Sequence, residues 1–128
     1  MTAGLSAVNL ANKWLDMLAG TAFTAPAAFW VKLHVGDPGS AGASNASAVV
    51  TRQQVTWSAA SGGSKSQASA PTAWSMTTTE TITHVSFWDA SSSGNFLDAA
   101  ALTTSRSVIS GDTVTLNTLT LAFTPIAA

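Results

Sequence analysis

The chain has 128 residues, 46% of them apolar and 9% charged, with a formal net charge of −1. That length suits one domain with one core, and the apolar content, with five Trp and five Phe, excludes a disordered chain. The five cations, Lys13, Lys32, Arg52, Lys65 and Arg106, are scattered, so there is no basic stripe for a nucleic-acid backbone. Cysteine is absent, which excludes disulfides and thiolate metal sites.

No apolar run approaches the roughly 20 residues a membrane-spanning helix needs. Asn9, Asn12, Lys13 and Asp16 interrupt what would otherwise be the core of a signal peptide, so none is expected. An average soluble domain carries about 25% charged residues. A chain with so few keeps little repulsion between copies, so self-association is expected.

In chain order, residues 5–19 carry the first signal. At 100° per residue Val8, Leu10, Trp14, Leu15, Met17 and Leu18 fall on one arc, and Asn9, Asn12, Lys13 and Asp16 on the other. This is an amphipathic helix stopped by Gly20. Its apolar arc spans about 200°, against the ≳100° a surface helix needs, so a neighbouring subunit is expected to cover part of it. After Pro26 the period changes to two. Phe29, Val31, Leu33 and Val35 alternate with Trp30, Lys32 and His34 as in a strand, which Gly36-Asp37-Pro38-Gly39 ends with turn chemistry.

Residues 39–48 read as a loop, Val49–Trp57 as a strand, and Ser58–Ser66 as a second loop around Gly62-Gly63. Ala73–Met76 reads as a short strand. In Thr81–Asp89, alternation places Val85 and Phe87 on one face and Ile82 and Trp88 on the other, which predicts a central strand covered twice. Further strands are expected at Phe96–Leu102 and Ser105–Ser110. In Thr113–Thr124, Val114 and Leu116 are out of phase with Leu119, Leu121 and Phe123, so a β-bulge is expected near Asn117-Thr118.

One helix followed by about seven strands, with no interleaved helices, predicts a mainly β fold. The expected architecture is an antiparallel β-sandwich or jelly-roll-like barrel, residues 1–128 forming a single domain with one N-terminal amphipathic α-helix.

Catalytic and metal signals are weak. The two histidines, His34 and His84, lie 50 positions apart, and there is no Gly-x-Ser-x-Gly elbow and no phosphate loop at Gly62-Gly63. Packed, hydrogen-bonded imidazoles are the simpler account. Asp37 and Asp112 sit in turns, where carboxylates bond nearby backbone N–H groups; a loop calcium site is the alternative use. No catalytic, cofactor or metal residue is therefore assigned, and no cofactor is expected. The tryptophans suit core or subunit-interface packing or, alternatively, sugar stacking by Trp30 and Trp88.

The stretches Leu10-Ala11-Asn12-Lys13-Trp14-Leu15-Asp16, Gly20-Thr21-Ala22-Phe23-Thr24-Ala25-Pro26, Val31-Lys32-Leu33-His34-Val35-Gly36-Asp37-Pro38-Gly39, Arg52-Gln53-Gln54-Val55-Thr56-Trp57 and Thr83-His84-Val85-Ser86-Phe87-Trp88-Asp89-Ala90, the last leading into Gly94-Asn95, occur in this order. Together they resemble short bacteriophage proteins labelled tail-fibre proteins, over nearly the whole chain. The segment from Gly62 to Met76 departs from the family pattern, because Ser64–Ser69 is polar where members carry a more apolar strand, and its pairing stays open.

The resemblance implies a non-enzymatic virion structural protein, assembled in the host cytoplasm and acting through contacts with other capsid or tail proteins. It fits a tail-fibre-type or minor tail component, or a capsid decoration protein. Trp14, Met17, Trp30 and Trp88 are the expected contact residues, in a homo-oligomer. The alternative is a module that binds host-surface glycan.

Overall fold

The computed structural model describes residues 3–123. A π-helical turn, Ala7–Ala11, runs into helix α1, Asn12–Leu18. Eight strands follow among the described residues: β1 Phe29–His34, β2 Gln53–Val55, β3 Ser64–Ser66, β4 Trp74–Ser75, β5 Glu80–Trp88, β6 Phe96–Val108, β7 Thr113–Val114 and β8 Thr120–Ala122. The fold is mainly β with antiparallel sheets and one N-terminal helix, and it fits a β-sandwich.

A four-stranded sheet in the order β2-β1-β5-β6 forms one layer, and two short ladders, β3-β8 and β4-β7, supply the other. The alternation in β1 decides which face is which. Val31 and Leu33 point inward with Val55, Val85 and Phe87, and they meet Trp74, Met76, Ile82 and Val108 in a core that Trp57, Val114, Leu116 and Leu119 extend. The indole N–H of Trp74 donates to the Thr51 carbonyl at 2.9 Å, so the largest buried ring is also satisfied as a donor.

On the reverse face of the sheet the register sets Trp30 opposite Trp88, Lys32 opposite Ser86 and His34 opposite His84. The loop after β1 folds over part of this face. Asp37 accepts the Gly39 N–H at 2.8 Å, which tightens the turn, and Pro38 and Gly42 are buried. Gly42 has φ +68°, and a Cβ added there would enter the Phe96 ring. Both the left-handed backbone and the close approach call for glycine. Gly42→Ala is expected to cost about 2–3 kcal/mol, the sum of overpacking and backbone strain. A melting temperature unchanged within 2 °C or so would refute this.

Several expected boundaries move. Val49–Trp57 pairs as a strand only over β2, and Trp57 makes an isolated bridge to Gln67. The two strands expected at 96–102 and 105–110 are one strand, β6, with a register shift in its pairing to β5 between Ile82 and His84. The same shift corrects the face of Ile82. Strict alternation puts it opposite Val85, but the irregular step carries it into the same core.

The phase slip after Val114 is real, but pairing breaks there instead of bulging. Gln67 fills the break: its backbone N–H donates to Leu119 O at 2.9 Å, and its amide donates to Leu116 O at 3.0 Å and Asn117 O at 2.8 Å. Its Oε1 is buried without a partner among the described residues. The polar segment left open by the sequence pairs as β3 with β8, Ser64 opposite Ala122 and Ser66 opposite Thr120. Thr124 lies outside the described residues.

Candidate protein-interaction surface

The helical segment is docked largely by its polar groups. Ser6 caps it by accepting the Asn9 N–H at 3.2 Å, and Ser6 N–H donates to Leu97 O at 2.7 Å. Ala99 N–H donates to Gly4 O at 3.0 Å, and the Asn9 side-chain amide donates to Phe96 O at 2.8 Å. All three anchors fall on the first residues of β6. Leu10 is the buried apolar residue of the segment, and Trp14 is half-buried, edge-on to Phe123 with ring centroids 5.4 Å apart.

The rest of the apolar arc faces outward. Val8 is 74% exposed, Leu15 65% and Leu18 82%, and Met17 beside them is 48% exposed. A helix normally turns its greasy stripe to the core. Here hydrogen bonds from Ser6 and Asn9 set its orientation, and much of the stripe is left bare.

Beside the helix lies a groove of about 540 Å³. It is lined by Leu10 and Trp14 from the helical segment and by Phe29, Leu97, Trp57 and Phe123. Phe29 stacks on Phe87 and meets Trp57 edge-on, so the groove opens from the aromatic end of the main core. Two charges line it. Lys65 stands 5.7 Å from the centroid of the Trp57 ring, and the Asp98 carboxylate is half-buried, accepting the Ala99 N–H at 2.7 Å. Burial pushes the Asp98 carboxyl above its usual range, and that backbone N–H opposes the shift.

The other expected contact residues sit on the reverse face of the sheet. Trp88 is only 9% exposed: Arg52 lies 3.9 Å from its ring centroid, and its indole N–H donates to Ser86 Oγ at 2.8 Å. Arg52 also donates to Ala90 O at 2.8 Å and Ser93 O at 2.7 Å. The Asp89 carboxylate accepts the Asn95 N–H at 2.7 Å and its side-chain amide at 2.8 Å. Trp88, Arg52 and Asp89 thus tie down the turn between β5 and β6. Trp30 is half-buried against the cluster of Trp88, Phe96 and Ala99.

The two histidines are placed apart in role. His34 is fully buried, with Nδ1 2.8 Å from Ser44 O and Nε2 2.7 Å from Ser86 Oγ. The carbonyl requires a proton on Nδ1, so Nε2 accepts the Ser86 O–H, and Ser86 in turn accepts from Trp88. Burial, reinforced by the nearby Lys32, lowers the His34 pKa, while the carbonyls of Ser44 and Asn45 pull it up. A serine and a histidine within hydrogen-bond reach look like part of a hydrolytic set. This serine hydroxyl, however, is wholly buried and already committed on both sides. His84 bonds Thr83 Oγ1 through Nδ1 at 2.8 Å. Asp112 accepts the Ile109 N–H at 3.0 Å, as Asp37 accepts that of Gly39. Among the described residues no three His, Cys, Asp or Glu side chains gather as a metal site.

The outward helix stripe and the aromatic groove thus lie side by side at one end of the molecule. A family model described as Podophage GP4 fiber I protein gp80 matches residues 5–124. The chain belongs to this family. It is a phage structural protein of the tail-fibre type, and its place is the virion. No curated protein matches the chain. The family match spans the helix, both layers of the sandwich and Phe123, so the outward stripe and the groove both lie within the fibre-family region.

Sequence reasoning singled out Trp14 and Met17 at this end of the molecule. It did not pick out Leu15, Leu18, Trp57, Lys65 or Phe123. The over-wide apolar arc was the signal for the leucines. The groove residues come from five separate stretches of chain and carry no shared local pattern.

Proposed function

We propose that this fibre-family protein is a non-enzymatic accessory subunit held on the phage particle by protein–protein contacts, its own copies included. The observation that carries the reading is the orientation of the helical segment, which bonds to β6 through Ser6 and Asn9 and turns Val8, Leu15 and Leu18 to the outside. Apolar surface left this open is characteristic of an association site. The low charge of the chain removes the usual barrier to such association. Trp14 and Met17 border the contact; Trp30 belongs to the reverse face. The buried, fully bonded state of Ser86 and His34 supports a structural use of both.

The triple variant Val8→Ser/Leu15→Ser/Leu18→Ser tests the reading. All three positions are exposed, so the melting temperature is expected to stay within a few degrees of wild type. In light scattering the wild type is expected to form multimers and the variant to be monomeric. Quantitative mass spectrometry of particles is expected to show the variant depleted at least tenfold. A wild type that stays monomeric at high concentration, with the variant incorporated normally, would refute the proposal.

The glycan alternative needs an open aromatic face. Arg52 occupies one face of Trp88, which favours the protein-contact reading. Specific glycan-array binding lost on Trp30→Ala would reverse that preference.

A further inference from the structure

We propose that the outward stripe of α1 in one copy seats in the groove of the next, Leu15 and Leu18 packing against its aromatic lining, Trp57 and Phe123 included, in a head-to-tail contact. The inference rests on the reading that the protein is held by contacts with its own copies, and it names the two surfaces that meet.

Three observations lead to it. First, the chain exposes an apolar projection and an apolar recess at the same end. A symmetric pairing of α1 with α1 would cover the leucines and leave the groove open, whereas a head-to-tail contact removes both from water at once. Second, size favours the recess. The helical turns from Ala7 to Leu18 are about 18 Å long at 1.5 Å per residue, short for a helix pair that must bury on the order of 800 Å² per partner. The groove of about 540 Å³ lies in the range that accepts ligands of several side chains' bulk.

Third, the charges complement. The projection carries exposed Lys13 and Asp16, and the groove carries Lys65 and Asp98. Seating the helix lets Asp16 approach Lys65, and it offers a cation, Lys13, toward the half-buried Asp98. A contact of this kind joins different surfaces, so repetition gives either a closed ring or a filament.

The absence of cysteine makes the test clean. Leu18→Cys places one thiol on the projection, and Ala60→Cys places one on the groove rim, both at exposed positions. When the two purified single variants are mixed under mild oxidation, a mixed disulfide dimer is expected in several-fold excess over the dimer formed by either alone. Adding Lys65→Glu to the Ala60→Cys chain is expected to cut that yield several-fold, and adding Asp16→Lys to the Leu18→Cys chain to restore it. Circular dichroism checks that each variant is folded.

Efficient cross-linking of Leu18→Cys with itself would overturn the proposal in favour of a symmetric helix pair. Failure of the mixture to cross-link, while light scattering shows multimers, would overturn it and leave the protein-contact reading standing. Monomers throughout would remove both.

Discussion

Trp74→Ala is expected to leave much of the protein unfolded at 37 °C. The ring is buried at the centre of the sandwich core, on the short ladder β4-β7 that closes the second layer over Val31, Leu33 and Phe87. Truncating a buried Trp to Ala costs about 3–5 kcal/mol through lost burial and the cavity left behind. The Thr51 carbonyl also loses its indole donor. Domains of this size have a total stability of about 5–15 kcal/mol, so one substitution removes a large share. The ladder that carries Trp74 makes just two pairs, Trp74 with Val114 and Ser75 with Thr113, so packing of the ring is a main hold on that part of the layer. Urea denaturation at 25 °C should show the midpoint falling with little change in slope. A loss below 1 kcal/mol would mean that the core does not depend on this ring.

The second large effect is expected at Ser86. Ser86→Ala removes the donor to His34 Nε2 and the acceptor of the Trp88 indole N–H in one step. Two buried polar groups are orphaned, at about 1–3 kcal/mol each, so a loss of about 2–6 kcal/mol is expected.

The same network makes stability pH-dependent. His34 has a folded pKa below its ordinary 6.5 because burial disfavours the imidazolium. Above pH 7 both folded and unfolded chains are neutral there, and stability is complete. As pH falls through about 6.5, the unfolded chain takes up a proton that the folded chain refuses, and stability drops by up to about 1.4 kcal/mol per pH unit. The drop ends where the folded His34 finally titrates. Asp98 acts in the opposite sense at lower pH, since its folded carboxyl, held up by burial, protonates before the unfolded one. Melting curves from pH 7.5 to 5 should therefore slope downward in the wild type. His34→Gln is expected to start lower and to slope less. Equal slopes in the two proteins would exclude His34 as the source.

Much of the architecture was legible in the residues. The period-two run in β1 sorted Val31 and Leu33 to the core and Trp30, Lys32 and His34 to the reverse face. Asp37 and Asp112 served the turns that their position implied. The change of phase after Val114 marked a true break. Ile82 was misplaced because alternation assumes an unbroken register, and the irregular step between Ile82 and His84 cannot be seen without the partner strand.

The helix shows a different limit. A helical wheel separates apolar from polar residues but does not say which side docks. The π-helical start and the bonds of Ser6 and Asn9 to β6 decided that, and they place part of the polar arc inward. Arg52, which shields Trp88, comes from a stretch of chain with no sequence link to the tryptophan. The groove is likewise assembled from Leu10, Phe29, Trp57 and Phe123, which meet only after the chain has folded.

The anchoring of the helix to β6 also decides where force goes. Any tug on a helix gripped by a neighbour enters the sandwich through the Gly4, Ser6 and Asn9 bonds to the first residues of β6. β6 passes the strain along its long ladder to β5, the interior strand of the sheet, which β1 braces on its other edge. Under the proposed contact, a particle component shaken by adsorption or flow would be gripped at a small handle rooted in its most extensively paired strands, and the two short ladders of the other layer would be spared the load.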